Sequence, residues 1–151
     1  MVWGRRGFFG LCAVLVLVTL VSCAKERKEA RAQRDAIAWL TSYEAALQTA
    51  RNERCAVMID FYTDWCGWCK KLDADTYVDK QVISASSDFV SLKLDADQER
   101  AVAARYNITG FPTILFIDAA GNEVHRVVGY RPPQAFLGEM KTALAAFQAK
   151  S

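Results

Sequence analysis

Apolar positions change their spacing several times along this chain, and each change predicts an element. Ala56–Tyr62 is seven residues, apolar except for Asp60, which is the pattern of a strand buried on both faces. Residues 89–94 and Thr113–Ile117 read as two further strands. Glu123–Val128 alternates and fits a half-exposed edge strand, joined to the preceding strand through the turn-rich stretch Asp118-Ala119-Ala120-Gly121-Asn122. Helical spacing fills the gaps. Thr41-Ser42-Tyr43-Glu44 has the form of a capping box, with Thr41 as N-cap and a helix running to about Glu53. Further helices are predicted over residues 66–75, after Asp79, over 98–106, and from Pro133 to about Gln148. The last carries Phe136, Leu137, Met140, Leu144 and Phe147 on one stripe. A βαβ unit followed by a β-hairpin and a closing helix gives an α/β sandwich around a mixed central sheet.

The N-terminal run is of another kind. Arg5 and Arg6 precede fourteen largely apolar residues, Phe8 to Val21. As a helix these span about 21 Å at roughly 1.5 Å per residue, against a hydrocarbon core of about 30 Å. That length predicts a signal-peptide core; a short uncleaved anchor is the alternative. Leu20-Val21-Ser22-Cys23 resembles the lipobox of bacterial lipoproteins. The resemblance implies cleavage before Cys23 and acylation of that cysteine, and several acyl chains on one residue suffice for stable membrane attachment. The expected organisation is a signal peptide at 1–22, a lipidated N-terminus and charged tether at 23–36, and a folded domain at 37–151. The tether (Lys25, Glu26, Arg27, Lys28, Glu29, Arg31, Arg34) lacks large apolar residues and fits a solvated spacer.

Composition narrows the classes. The 151 residues are 52% hydrophobic and 24% charged, enough for a packed core and unlike a disordered or multi-pass membrane protein. The net charge is +2, and removing residues 1–22 takes away two arginines to leave 17 basic against 17 acidic side chains. No concentrated basic face is present, so no nucleic acid is implied as a partner.

Chemistry concentrates at Trp65-Cys66-Gly67-Trp68-Cys69-Lys70, where a CxxC falls at a strand-to-helix junction. Cys66 at the helix N-terminus meets unpaired backbone N–H groups that favour a thiolate. Cys69 lies one turn on, on the same face, placed to attack a mixed disulfide at Cys66. The competing readings are a structural pair or half of a zinc site, for which the remaining cysteine and histidine supply (Cys55, His125, Cys23) is thin. Covalent haem attachment needs His where Lys70 stands. Cys55 fits a small buried hydrophobe, and His125 a surface position.

The segment from Asp60 to Lys70, together with Gly110-Phe111-Pro112-Thr113, resembles the thioredoxin family over about residues 38–147. Within it the chain is most similar to the C-terminal periplasmic domain of the thiol:disulfide interchange protein DsbD and to small periplasmic thioredoxin-like lipoproteins. Thr76-Tyr77-Val78-Asp79, Lys93-Leu94-Asp95 and the run from Gly110 to Phe116 share that texture. The resemblance implies a thioredoxin fold, with a mixed sheet flanked by helices on both faces. It makes Cys66 the nucleophile and Cys69 the resolving thiol of a redox-active Cys66–Cys69 disulfide. Pro112 becomes the cis-proline facing that disulfide, and Asp60 a buried acid that shuttles protons, with Lys93 as its partner. A solvent-facing strand-edge acid is the alternative for Asp60. Trp65, Gly67, Trp68, Phe111 and Gly129 would join Pro112 in binding substrate, Gly129 because close backbone approach excludes a side chain there. Trp68 departs from the family, which has Pro or, in strong oxidants, His; a platform for a partner's disulfide and a partly packed helix residue are equal accounts of it.

The function expected is a lipid-anchored reductase of disulfides in periplasmic proteins, re-reduced by a membrane electron donor of the interchange type. It is expected to work as a monomer without cofactor or metal, on the periplasmic side of the envelope. Ala24 after Cys23 leans towards the outer membrane. The rival readings are a disulfide oxidase or isomerase, a non-catalytic binding module and a thiol metallochaperone.

Overall fold

The computed structural model describes residues 34–150. The expectations for residues 1–22, for Cys23 and for most of the tether lie outside them. The elements are α1 (Tyr43–Glu53), β1 (Ala56–Tyr62), α2 (Gly67–Lys71), a π-helical turn (Leu72–Thr76), α3 (Lys80–Ser86), β2 (Phe89–Asp95), α4 (Arg100–Arg105), β3 (Thr113–Ile117), β4 (Glu123–Val128) and α5 (Pro133–Lys150).

The strands form one sheet in the order β2-β1-β3-β4. β1 runs parallel to β2, with Ala56 opposite Phe89 and Tyr62 opposite Asp95, and antiparallel to β3, with Asp60 opposite Ile114. Alternation along the strands separates two cores. Ala56, Met58, Ile114 and Phe116 face Leu72, Val82, Phe136 and Met140. Val57, Ile59, Phe61 and Leu115 face Tyr43, Ala46, Ala50 and Tyr106. Both faces of β1 are thus covered, which is why its sequence is apolar almost throughout. Each fully buried side chain of Leu or Phe size contributes about 1.5–3 kcal/mol. This is a thioredoxin fold: a mixed four-stranded sheet between two helical layers.

Several boundaries differ from the sequence expectation. The N-cap of α1 is Ser42, not Thr41: Ser42 is extended (φ −106°, ψ 124°) and its hydroxyl accepts the Ala45 N–H at 3.3 Å. Residues 66–75 do not form one α-helix, because after Lys71 the backbone widens into the π-helical turn, with the Tyr77 N–H on the Leu72 carbonyl at 3.0 Å. α4 is shorter than predicted, and α5 continues to Lys150. Before α1, Leu40 forms a parallel bridge with Leu92: Leu40 N–H donates to Ser91 O, and Lys93 N–H donates to Leu40 O, each at 2.9 Å. A single pair of this kind has no periodicity for a sequence pattern to reveal. His125 is half-buried, not a surface residue; it lies 2.7 Å from the Glu139 carboxylate and packs on Phe116.

Candidate active site

β1 delivers the chain to the site. After Tyr62 the buried Thr63 accepts the Cys66 N–H on its carbonyl at 3.1 Å, and this turn sets Cys66 as the N-cap of α2. Cys66 is extended (φ −78°, ψ 107°), and its Sγ accepts the Cys69 N–H at 3.1 Å. An N-capping sulfur is thereby stabilised as an acceptor, and a thiolate accepts more strongly than a thiol. Cys66 and Cys69 form a disulfide with Cα atoms 5.3 Å apart. Cys66 keeps 6% of its surface exposed and Cys69 3%, so both are buried.

Two indoles flank the pair in sequence, and both are exposed, Trp65 at 69% and Trp68 at 59%. Trp65 is fixed by its Nε1–H donating to Asp97 at 2.9 Å and by edge-on packing with Phe111 at 5.8 Å. Trp68 lies against Tyr130 at 5.8 Å, and the Lys71 ammonium sits over the other's ring. Trp68 is thus partly packed and largely exposed, which fits both accounts given for it. The Phe111–Pro112 peptide is cis, and the Pro112 carbonyl accepts the Gly129 N–H at 2.8 Å. The reason expected for Gly129 is corrected by the geometry. A Cβ there would meet only Arg131 Nη1 at 4.0 Å, so the requirement is its φ of +85°, not crowding. Gly67 has open space around its Cα.

Asp60 is 1% exposed, which removes the solvent-facing alternative. Its Oδ2 accepts from Lys93 Nζ at 2.8 Å, while Oδ1 and the nearby buried Tyr77 hydroxyl have no hydrogen-bond partner among the described residues. Lys93 Nζ also donates to Asp73 Oδ1 at 2.5 Å and stands over three rings, Tyr62 at 5.0 Å, Tyr77 at 5.2 Å and Trp39 at 5.4 Å. Burial pushes the Asp60 carboxyl above its ordinary range, against the opposing pull of Lys93. Burial by itself would lower Lys93, but Asp60 and Asp73 more than offset it and hold the ammonium charged. Tyr77 is raised well above its usual value, first by burial and then by the two carboxylates.

The Cys66–Cys69 disulfide, the Asp60–Lys93 pair and the cis bond before Pro112 are thus all present, whereas the sequence did not show Asp73, Tyr77 and Trp39 as neighbours of the ion pair. A large aromatic standing alone between a charged stretch and a capping box was the available signal for Trp39. Asp73 had none, because the π-helical turn decides where it points. Against the burial expected for it, Cys55 is half-buried and packs beside the core under α1. Among the described residues no three potential metal-ligating side chains cluster, and no helix is long and apolar enough to cross a membrane.

A redox-type cysteine pair capping a helix, set on this sheet, defines the class of thioredoxin-like disulfide oxidoreductases. The profile of the thioredoxin-like domain matches residues 43–144, and the chain belongs to that family. It is 37% identical over 116 residues to the thiol:disulfide interchange protein DsbD of Ralstonia nicotianae, and 36% identical over 110 residues to that of Vibrio cholerae. These alignments cover 74% and 69% of this chain but only 19% and 18% of the relatives, so the chain spans about a fifth of their length. Among solved structures, a thioredoxin from Thermus thermophilus superposes with a TM-score of 0.68 at 28% identity, covering 76% of this chain and 92% of that one. The oxidised C-terminal domain of Neisseria meningitidis DsbD shares the fold with a TM-score of 0.61 at 23% identity, covering 70% and 99%.

Proposed function

We propose that this protein reduces disulfides in proteins of the bacterial periplasm by dithiol exchange. The observation that carries the reading is the Cys66–Cys69 disulfide with Cys66 Sγ at a helix N-cap, accepting the Cys69 N–H. In the reduced protein the Cys66 thiolate attacks one sulfur of a substrate disulfide, forming a mixed disulfide and expelling a substrate thiolate. Cys69 loses its proton to Asp60 and attacks Cys66 Sγ, which expels the second substrate thiolate. Two electrons pass to the substrate; one expelled thiolate takes the proton that Asp60 received from Cys69, the other takes one from solvent, and Cys66–Cys69 is left oxidised. A dithiol-bearing membrane donor of the interchange type restores it, by analogy with the relatives named DsbD. Trp65, Gly67, Trp68, Phe111, Pro112 and Gly129 form the surface that receives an extended substrate segment; the exposed indoles support this.

The apolar run over residues 8–21 and the lipobox-like Leu20-Val21-Ser22-Cys23 support a domain on the periplasmic side, held through an acylated Cys23, and Ala24 favours the outer membrane. The protein acts there as a monomer. Palmitate incorporation in cells, lost in Cys23→Ser, is the expected result for the anchor.

For the chemistry, Cys66→Ser should abolish insulin reduction. Cys69→Ala should accumulate mixed disulfides on Cys66 whose partners are periplasmic proteins. A reduction potential below about −180 mV is expected of a donor, whereas one near about −120 mV assigns the protein to oxidation instead. Unchanged insulin reduction by Cys66→Ser removes the mechanism.

A further inference from the structure

The Lys93 ammonium is held from more sides than an Asp–Lys pair needs. Asp60 on β1 and Asp73 on the π-helical turn accept its N–H groups, and Tyr62 on β1, Tyr77 after the π-helical turn and Trp39 present ring faces. Trp39 lies in the segment 37–40, ahead of the residues 43–144 matched by the thioredoxin-like domain. That segment is locked in place: Ile37 is buried in the core, and the Leu40 carbonyl accepts the backbone N–H of Lys93 itself at 2.9 Å. Trp39 in turn packs edge-on against Tyr77 at 5.0 Å, beside the unpartnered Tyr77 hydroxyl and Asp60 Oδ1. An aromatic face attracts a cation most when water is excluded, so a ring here favours the ammonium at this spot over a solvated one.

We propose that Trp39 is a positioning residue for the redox site: its ring keeps the Lys93 ammonium seated between Asp60 and Asp73, and the segment 37–40 thereby governs how the buried acid holds its proton. Removing the ring lets Lys93 swing towards water and Asp73, while Asp60 stays buried. Asp60 then loses part of its counter-charge without gaining solvent, and it holds its proton to higher pH. The charged and titratable groups facing the pair are Asp60, Asp73, Tyr62, Tyr77 and, beyond Tyr62, Asp95 and Asp64. None of them sits on the segment 37–40, so a shift caused by Trp39 passes through Lys93.

The test is a carboxyl carbon NMR titration of Asp60 in the oxidised full-length chain, comparing wild type with Trp39→Ala and Trp39→Phe. Trp39→Ala should move the Asp60 midpoint up by about 1 unit, the lower end of what a nearby opposite charge is worth. Trp39→Phe, which keeps a ring, should move it by less than half as much. In Lys93→Met the further substitution Trp39→Ala should leave the midpoint where it was. An unmoved midpoint in Trp39→Ala, or an undiminished shift in the Lys93→Met background, overturns the proposal. Should Trp39→Ala fail to fold, Trp39→Leu keeps apolar cover without a ring and is read by the same criteria. The effect on turnover rests on the proposed exchange reaction, and the two can fail separately. A shifted Asp60 with an unshifted pH profile of insulin reduction upholds the Trp39 assignment and removes Asp60 from the exchange step.

Discussion

Asp60 is the residue at which burial and charge oppose each other most directly. An acid that binds its proton more tightly folded than unfolded costs stability as pH rises, because the unfolded chain ionises first. The fold should therefore lose stability as pH climbs from the ordinary carboxyl value of 3.8 towards the raised native one. Asp60→Asn should flatten that decline, measured as the urea midpoint at successive pH values from about 4 upward. Lys93 adds a loss in the same direction, but only as pH rises through the ordinary lysine value of 10.5, where the unfolded chain deprotonates first. The identity of Asp60 stood out in the sequence as a single acid in an apolar strand. Its company did not: Lys93 is 33 positions away and Asp73 is 13, and neither distance falls in any local period.

At the level of elements, helix caps and turns follow local rules that the chain can be made to reveal. Ser42→Ala should cost about 1 kcal/mol, because the Ala45 N–H loses its acceptor, while Thr41→Ala should be near neutral. Urea unfolding of the two variants decides which residue caps α1. The two positive-φ glycines separate strain from crowding. Gly129→Ala meets open space and should cost only the left-handed backbone penalty, about 1–2 kcal/mol. Gly121→Ala should cost more, since its Cβ would press Arg105 Nη2 and the Tyr43 hydroxyl, each at 3.1 Å, and disturb the Tyr43–Tyr106 hydrogen bond of 2.6 Å. The strands were readable because their patterns are periodic; β3 and β1 match their predicted spans. The π-helical turn was not, because its extra residue per turn answers to contacts made elsewhere, including the Thr76 hydroxyl donating to the Arg131 carbonyl at 2.6 Å.

Across the whole molecule, the two cores meet only through the sheet, so one side chain in it tests the layered arrangement. Phe116 is fully buried, packs on Phe89 and belongs to the core under α3 and α5. Phe116→Ala should cost about 3–5 kcal/mol, read as a fall in the urea midpoint. By itself the sequence determined the strand order of hydrophobicity, the helix spacing and the cysteine pair at a strand-to-helix junction. Each of these is written in residues within a turn or two of one another. Only the tertiary structure decided that Trp39, Asp60, Tyr62, Asp73 and Tyr77 surround the ammonium of Lys93. Those residues come from β1, β2, the π-helical turn and its C-cap, and a segment ahead of α1. What joins them is the parallel pairing of β1 with β2 and the single bridge at Leu40, contacts between distant parts of the chain that leave no periodic trace.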